Sequence, residues 1–377
     1  MKTIFASLVI LATLCAFAIQ SPILLQRSLN RVYHDCANHV LLTSDGSYLV
    51  TGWAVSQNRS YDGFVAKFFR DGRILFEKLL GSRYDDEFSV ALEIDGHYFL
   101  GGTTFSIESN YDAWIVKLDR NGQKVLEKSF GGRKRDEILA GTVCFDGTLL
   151  FVGRTSSFGS GETDVYVIKV DQDLNLIWQK TFGGSSLDEA YAVLEVEDGY
   201  LVVGFSESFS EDEDVYVLKM DLDGNKIFER IYGYPFLQKA FDVVQLADGF
   251  LMVGVNWNEQ ADDADGLIMK IDFSGNLIWL KTIGTKGWEQ FNKVLEQNDE
   301  FILIGFAKNE FTKEEDVYAV RIDEKGNVLS EFYSNIENPD GCKYAIMSDN
   351  ELIIVGWIDN SDPFKWDVLL LKVDIRN

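Results

Sequence analysis

Proline, histidine and cysteine are scarce in this chain, and each scarcity removes a class of explanation. Four prolines in 377 residues leave no Pro-rich linker or stiff spacer. The three histidines, His34, His39 and His97, stand at no spacing that suggests a metal site. There is no Cys-x-x-Cys pair, no nucleophile elbow and no glycine loop of the kind that cradles phosphate. Positive charge is also in deficit: 35 Lys and Arg against 60 Asp and Glu give a formal charge of −25. That balance argues against nucleic acid, whose phosphates need Lys or Arg to displace counterions. It argues equally against docking on an anionic membrane surface. No cofactor is implied.

Long apolar runs are missing too, except at the start. Lys2 is followed by IFASLVILATLCAFA, residues 4–18, ending in Ala16-Phe17-Ala18. A basic start, a short apolar stretch and small residues at the end describe a secretory signal peptide, residues 1–18. The run is short for a membrane span, and Leu14 before Cys15 is too bulky for a lipoprotein signal. The mature chain, 19–377, is thus expected to be secreted or periplasmic, monomeric and not inserted in a membrane.

What the chain has in quantity is apolar surface and glycine. Hydrophobic residues make up 46% and aromatics 13%, enough for a large core, while 32 glycines suit many tight turns. The distribution is periodic. An Asp recurs as Asp62, Asp112, Asp164, Asp214, Asp265, Asp316 and Asp367, at a spacing of about 51 residues. Five positions after each comes a cation, such as Lys67, Lys169 or Arg321, and ten or eleven before each a glycine, from Gly52 to Gly356.

Each unit carries four short runs rich in β-branched and aromatic residues, such as ILAGTVCF, TLLFVGR, DVYVIKVD and LNLIWQKTF. Turn sequences such as FDG and DLDG separate them, and no helical periodicity intervenes. Four strands per period of this length predict a blade of a β-propeller. The last unit lacks a fourth strand, and the segment ILLQRSLN at 23–30 is an orphan one period ahead of ILFEKLLG. The expected fold is therefore all-β: a single-domain seven-bladed propeller of four-stranded antiparallel blades, with the N-terminal strand completing the last blade and closing the ring.

The pattern GGSSLDEAYAVLEVEDGYLVVGFS…DVYVLKMDLDGNKIFE resembles the β-propeller repeat of many secreted bacterial and archaeal proteins, most of unknown function. More distantly, IDFSGNLIW at 271–279 resembles the tryptophan-docking turn of quinoprotein-type propellers, although only Trp178 and Trp279 carry that tryptophan. The resemblance implies a scaffold and an extracellular or periplasmic setting. It does not imply a reaction.

Residues repeated in every unit are read as structural, because each blade needs them. The D-x-x-G turns are hairpins rather than calcium loops, which need a fuller oxygen set. The acid pairs Asp86-Glu87, Asp136-Glu137 and Asp188-Glu189 are assigned to capping of backbone N–H groups, with glycoside chemistry as the alternative. Arg154 stands alone at its strand end, and Trp53 and Trp357 are assigned to packing. Cys36 and Cys342 hold equivalent places in the first and last units and are read as unbridged, a disulfide being the alternative; Cys144 fills apolar core.

Where the repeat breaks, a binding site is expected. The fifth and sixth units open with GYPFLQKAF and GTKGWEQF in place of G-G-x-x-x-D-E, and a nearby loop reads NWNEQ. Tyr234, Phe236, Lys239, Trp257, Asn258, Lys286 and Trp288 combine flat aromatic faces with polar groups, which suits a glycan, peptide or protein ligand without catalysis; local repacking of the blade junction is the alternative for these residues, and an envelope assembly scaffold for the protein. N-terminal sequencing tests the leader assignment: exported protein should begin at Ile19, and a mature chain starting at Met1 would defeat it.

Overall fold

Every strand-like run of the repeat forms a strand. The computed structural model describes residues 23–28, 34–56, 60–108, 110–210, 212–233, 235–309, 314–336, 338–359 and 366–375. These contain 28 strands in seven four-stranded antiparallel blades, one per unit; five are separate sheets and the fifth and sixth join into one eight-stranded sheet. The third blade shows the pattern: Asp136–Val143 pairs with Leu149–Thr155, then Asp164–Val170, then Leu176–Phe182. Its third strand is buried along its whole length, while the fourth alternates exposed and half-buried residues and forms the outer edge. A single parallel bridge, Ala264 to Trp288, links the fifth sheet to the sixth.

The chain ends share one sheet. Strand β1 (Ile23–Ser28) pairs antiparallel with β28 (Trp366–Asp374), as the outer neighbour of the last unit's three strands. Hydrophobic clusters lie between successive blades: Leu49 and Val65 of the first meet Phe88, Leu100 and Trp114 of the second. Another combines Ala37, Val50 and Phe64 of the first blade with Ile353, Val355 and Leu370 of the last. Sheet faces that would otherwise be wet are thus covered by the adjoining sheet, which removes apolar area from water at roughly 25 cal/mol per Å².

The repeated polar residues join neighbours. Lys67 donates to Asp45 in its own blade's turn (2.5 Å) and to the Tyr98 hydroxyl of the next blade (2.7 Å). Lys169 repeats the arrangement with Asp146 and Tyr200, both at 2.9 Å. A buried ammonium is tolerated because its charge is matched and its donors are used. In the D-x-x-G turns the Asp carboxylates accept backbone N–H groups: Asp221 takes Asn225 N–H at 2.7 Å, and Asp272 takes Asn276 N–H at 2.8 Å. Gly224 and Gly275 follow with φ of +73° and +80°, the left-handed backbone that such hairpins need.

The repeat glycine has a separate cause. The first strand of every blade carries a bulge, as at Ile138/Ala140 and Ala190/Ala192, which swings a carbonyl over the second strand. A Cβ on Gly153 would lie 2.1 Å from the Glu137 carbonyl oxygen, and one on Gly204 1.8 Å from that of Glu189. The same clash recurs at Gly52, Gly102, Gly254, Gly305 and Gly356, always against first-strand backbone. Backbone cannot step aside as a flexible side chain can. Gly204→Ala should therefore cost about 3 kcal/mol in urea unfolding, at the upper end for overpacking. Gly147→Ala, in an open turn with φ +77°, should lose about 1 kcal/mol through strain alone. Equal losses would reject the clash as the reason for the repeat glycine.

Candidate functional site

The bulges also aim side chains. The extra residue of each first strand is Asn38, Ser89, Leu139, Tyr191, Phe241, Asn292 or Lys343, and all seven line a central cavity of about 750 Å³. Their successors, His39, Val90, Ala140, Ala192, Asp242, Lys293 and Tyr344, line it as well. The bulges thus supply two wall residues per blade, placed by one backbone device. Blades two to four contribute mainly small or apolar groups, whereas the fifth, sixth, seventh and first add charge and aromatic surface.

On that polar side Lys293 pairs with Asp242 at 2.9 Å, and its ammonium lies 4.6 Å from the Tyr344 ring centroid. Burial opposes the charge, yet Asp242 beside it holds Lys293 above the ordinary lysine range. His39 lies against Tyr344, the ring centroids 4.0 Å apart and the planes tilted by 35°. Burial first, then Lys293, pushes the His39 pKa down to about 3, so the imidazole is neutral near pH 7. Towards the rim the wall continues with Trp53, Trp357 and Trp366, the last two 5.3 Å apart.

The acid pairs divide into two roles. Their first members cap, as expected: Asp136 accepts from Gly132 N–H and Ser157 Oγ at 2.7 Å each, and Asp188 from Gly184 N–H and Ser208 Oγ at 2.8 and 2.6 Å. Their second members do not. Glu137 and Glu189 both accept from Arg154, at 2.5 Å each, and Arg135 joins Glu137 from the loop before its strand. Tyr191 donates to Glu189 at 2.8 Å. Glu87 has no hydrogen bond or ion pair among the described residues, and it faces both the central cavity and a side cavity of about 220 Å³. Burial and the nearby Glu137 raise the Glu87 pKa, with Arg135, Arg154 and Lys343 opposing.

Trp53 and Trp357, assigned to packing, also stand on the cavity wall, and Arg154, the one arginine at its place in the repeat, joins two glutamates. A signal was present. The residue after each repeat glycine and the residues three and four after each capping place vary from blade to blade, while the glycine itself recurs in every unit.

The expected cluster of the fifth and sixth blades stands apart from these cavities. Tyr234 lies outside the described residues. Trp257 and Trp288 come together, ring centroids 5.4 Å apart, with both indole N–H groups sealed from solvent. Lys239 lies 2.9 Å from Glu213 and 4.1 Å over the Phe205 ring. Asn258 accepts from Ala261 N–H at 3.2 Å and shapes its own turn. Phe236, at φ +83°, and Lys286 are exposed. None of the six described residues lines the central or the side cavity. The capping place survives in these units: Gln238 takes it by donating to the Pro235 carbonyl and Asn256, and Glu289 by accepting from Thr285 Oγ1 at 3.0 Å. Cys36, Cys144 and Cys342 are free and buried, and burial pushes the Cys36 thiol up to about 12.

A family model described as a β-propeller domain of unknown function, DUF5122, matches residues 43–74. No curated protein matches the sequence. Among solved structures, the WD40 domain of Neurospora crassa Pan2 is 10% identical with a TM-score of 0.58, covering 90% of this chain and 89% of its own. Sqt1 of Chaetomium thermophilum is 10% identical with a TM-score of 0.52, over 86% and 80% of the two chains. The Pseudomonas aeruginosa periplasmic gluconolactonase PpgL is also 10% identical with a TM-score of 0.52, over 87% and 96%. These likenesses establish the fold alone: a β-propeller built from a sequence repeat.

One capping acid titrates in an accessible range. Asp340 accepts from Val317 N–H at 2.7 Å and Ser334 Oγ at 2.8 Å, across the junction of the last two blades. Burial raises its pKa to about 7, against those two hydrogen bonds. An acid whose pKa is raised by folding holds its proton more tightly in the fold, so its contribution is full below the ordinary aspartate range and is lost as pH rises through about 7. Asp340→Asn keeps the Oδ1 acceptor without the charge. Its melting midpoint relative to the parent should rise by about 2–4 °C between pH 5 and pH 8. A difference that stays constant with pH would show that Asp340 does not titrate there.

Proposed function

We propose that this protein is an exported binding propeller that holds a glycan or a peptide at the mouth of its central cavity, without catalysis. The cavity carries the reading. Its volume of about 750 Å³ falls within the range of small-ligand sites. Indole faces of Trp53, Trp357 and Trp366 stand beside fixed charges, and flat faces stack on sugar rings or peptide side chains while polar neighbours set orientation.

The charges of the wall favour binding over turnover. Glu137 and Glu189 are held by Arg154, and Asp242 by Lys293. Carboxylates committed to ion pairs do not serve as the mobile acid and base of glycoside chemistry, which needs two. The two carboxyls of this wall without an ion pair among the described residues, Glu87 and Glu315, belong to separate blades, the second and the sixth. The apolar leader supports export to the periplasm or the outside of the cell.

Trp53→Ala and Trp357→Ala test the site by calorimetric titration against oligosaccharides and peptides. A ligand bound by the parent should lose at least about tenfold in affinity in each variant, about 1.4 kcal/mol. Unchanged affinity in both variants, conversion of the ligand, or no binding across both classes would overturn the reading.

A further inference from the structure

The side cavity has a chemistry of its own. Trp53 ends the second strand of the first blade, Tyr61 opens the third, and their rings stand at 89° with centroids 4.9 Å apart. Tyr111 of the second blade adds a further ring, and the Arg135 guanidinium lies 5.1 Å from that ring's centroid. The protein thus already lays one cation of its own on an aromatic face in this cavity.

The charges around the rings do not balance. Asp85, Asp86, Glu87 and Glu137 line the cavity against a single cation, Arg135. Glu137 is occupied by Arg135 and Arg154, and Asp86 caps its loop by accepting Ser82 N–H at 2.5 Å. Asp85 accepts the Tyr61 N–H through one oxygen at 3.0 Å, and Glu87 has no partner among the described residues. Two carboxylates with spare acceptor capacity therefore face two perpendicular aromatic walls, in a chain that carries −25 overall.

We propose that this side cavity binds an organic cation, an alkylated ammonium head group, in the corner formed by the packed rings of Trp53 and Tyr61, with Glu87 and Asp85 as counter-charges. This rests on the binding reading above and names the charged feature its ligand carries. An aromatic face attracts a cation through the negative face of its quadrupole, most when the cation is weakly hydrated. A compact metal ion does not fit the same description, since it asks for six or more oxygens and gains little from rings. An anion meets repulsion from both carboxylates. A neutral ligand gains apolar contact only, and so leaves the half-buried Glu87 without a direct counter-charge.

The test uses choline and its neutral isostere 3,3-dimethylbutan-1-ol, titrated into the mature protein with calorimetry and tryptophan fluorescence as readouts. Choline should saturate, with the isostere at least tenfold weaker. Glu87→Gln, which keeps shape and removes charge, should weaken choline about tenfold and leave the isostere unchanged. Trp53→Phe should weaken choline less than Trp53→Ala does, which separates loss of the ring from loss of the fold; melting curves check the latter. Equal binding of the two probes, no effect of Glu87→Gln, or no saturable response to choline at millimolar concentration would overturn the inference. If choline fails while an uncharged oligosaccharide or peptide still binds through Trp357, the cation site falls and the central-cavity reading stands.

Discussion

A carbonyl of each first strand lies directly over a glycine of the second, and the architecture of the mouth depends on that contact. The bulge that produces it inserts one extra residue into the innermost strand and turns it toward the axis. With any side chain at Gly153 or Gly204 the two backbones could not approach. The repeat glycine is therefore a condition for the bulge, and the bulge is what places two residues per blade on the cavity wall. A fold-level requirement and a site-level consequence share one atom-to-atom contact.

That coupling explains how a repeated scaffold acquires an unrepeated site. Capping acids, turn aspartates and staple lysines must recur, because each blade presents the same orphan N–H groups and the same apolar face to its neighbour. The bulged positions carry no such duty. Asn38, Leu139, Phe241 and Lys343 hold equivalent places with unrelated chemistry. Charge then collects where neighbours can compensate it: Lys293 with Asp242, Arg154 between Glu137 and Glu189. Buried ions stay ionised when matched in this way. Glu87 departs from that pattern. Its carboxyl lines the cavity beside aromatic rings with no ion pair among the described residues, and Arg135, Arg154 and Lys343 act on it only at a distance.

Much was legible along the chain because it is local or periodic. Four strand-like runs per unit, glycine and aspartate at the turns, and the orphan first strand follow from propensity, turn chemistry and spacing, which need no knowledge of distant contacts. The capping role of Asp136 and Asp188 was legible for the same reason, since the acid reaches N–H groups four residues away. At the fifth and sixth blades the departures from the repeat do meet, Trp257 against Trp288, but away from the central and side cavities.

The sequence by itself determined the blade, its number of copies and the way the first strand completes the last sheet, because these depend on hydrophobic pattern and hairpin chemistry within about 51 residues. Tertiary structure alone decided which side chains meet. Arg135 and Arg154 are separated from Glu189 by tens of residues, and Trp53 lies in a different blade from Glu87; only the packing of one sheet against the next brings them to the same mouth. Nor does the spelling of a strand reveal its bulge, since a bulge is a relation between two strands and appears only once they pair.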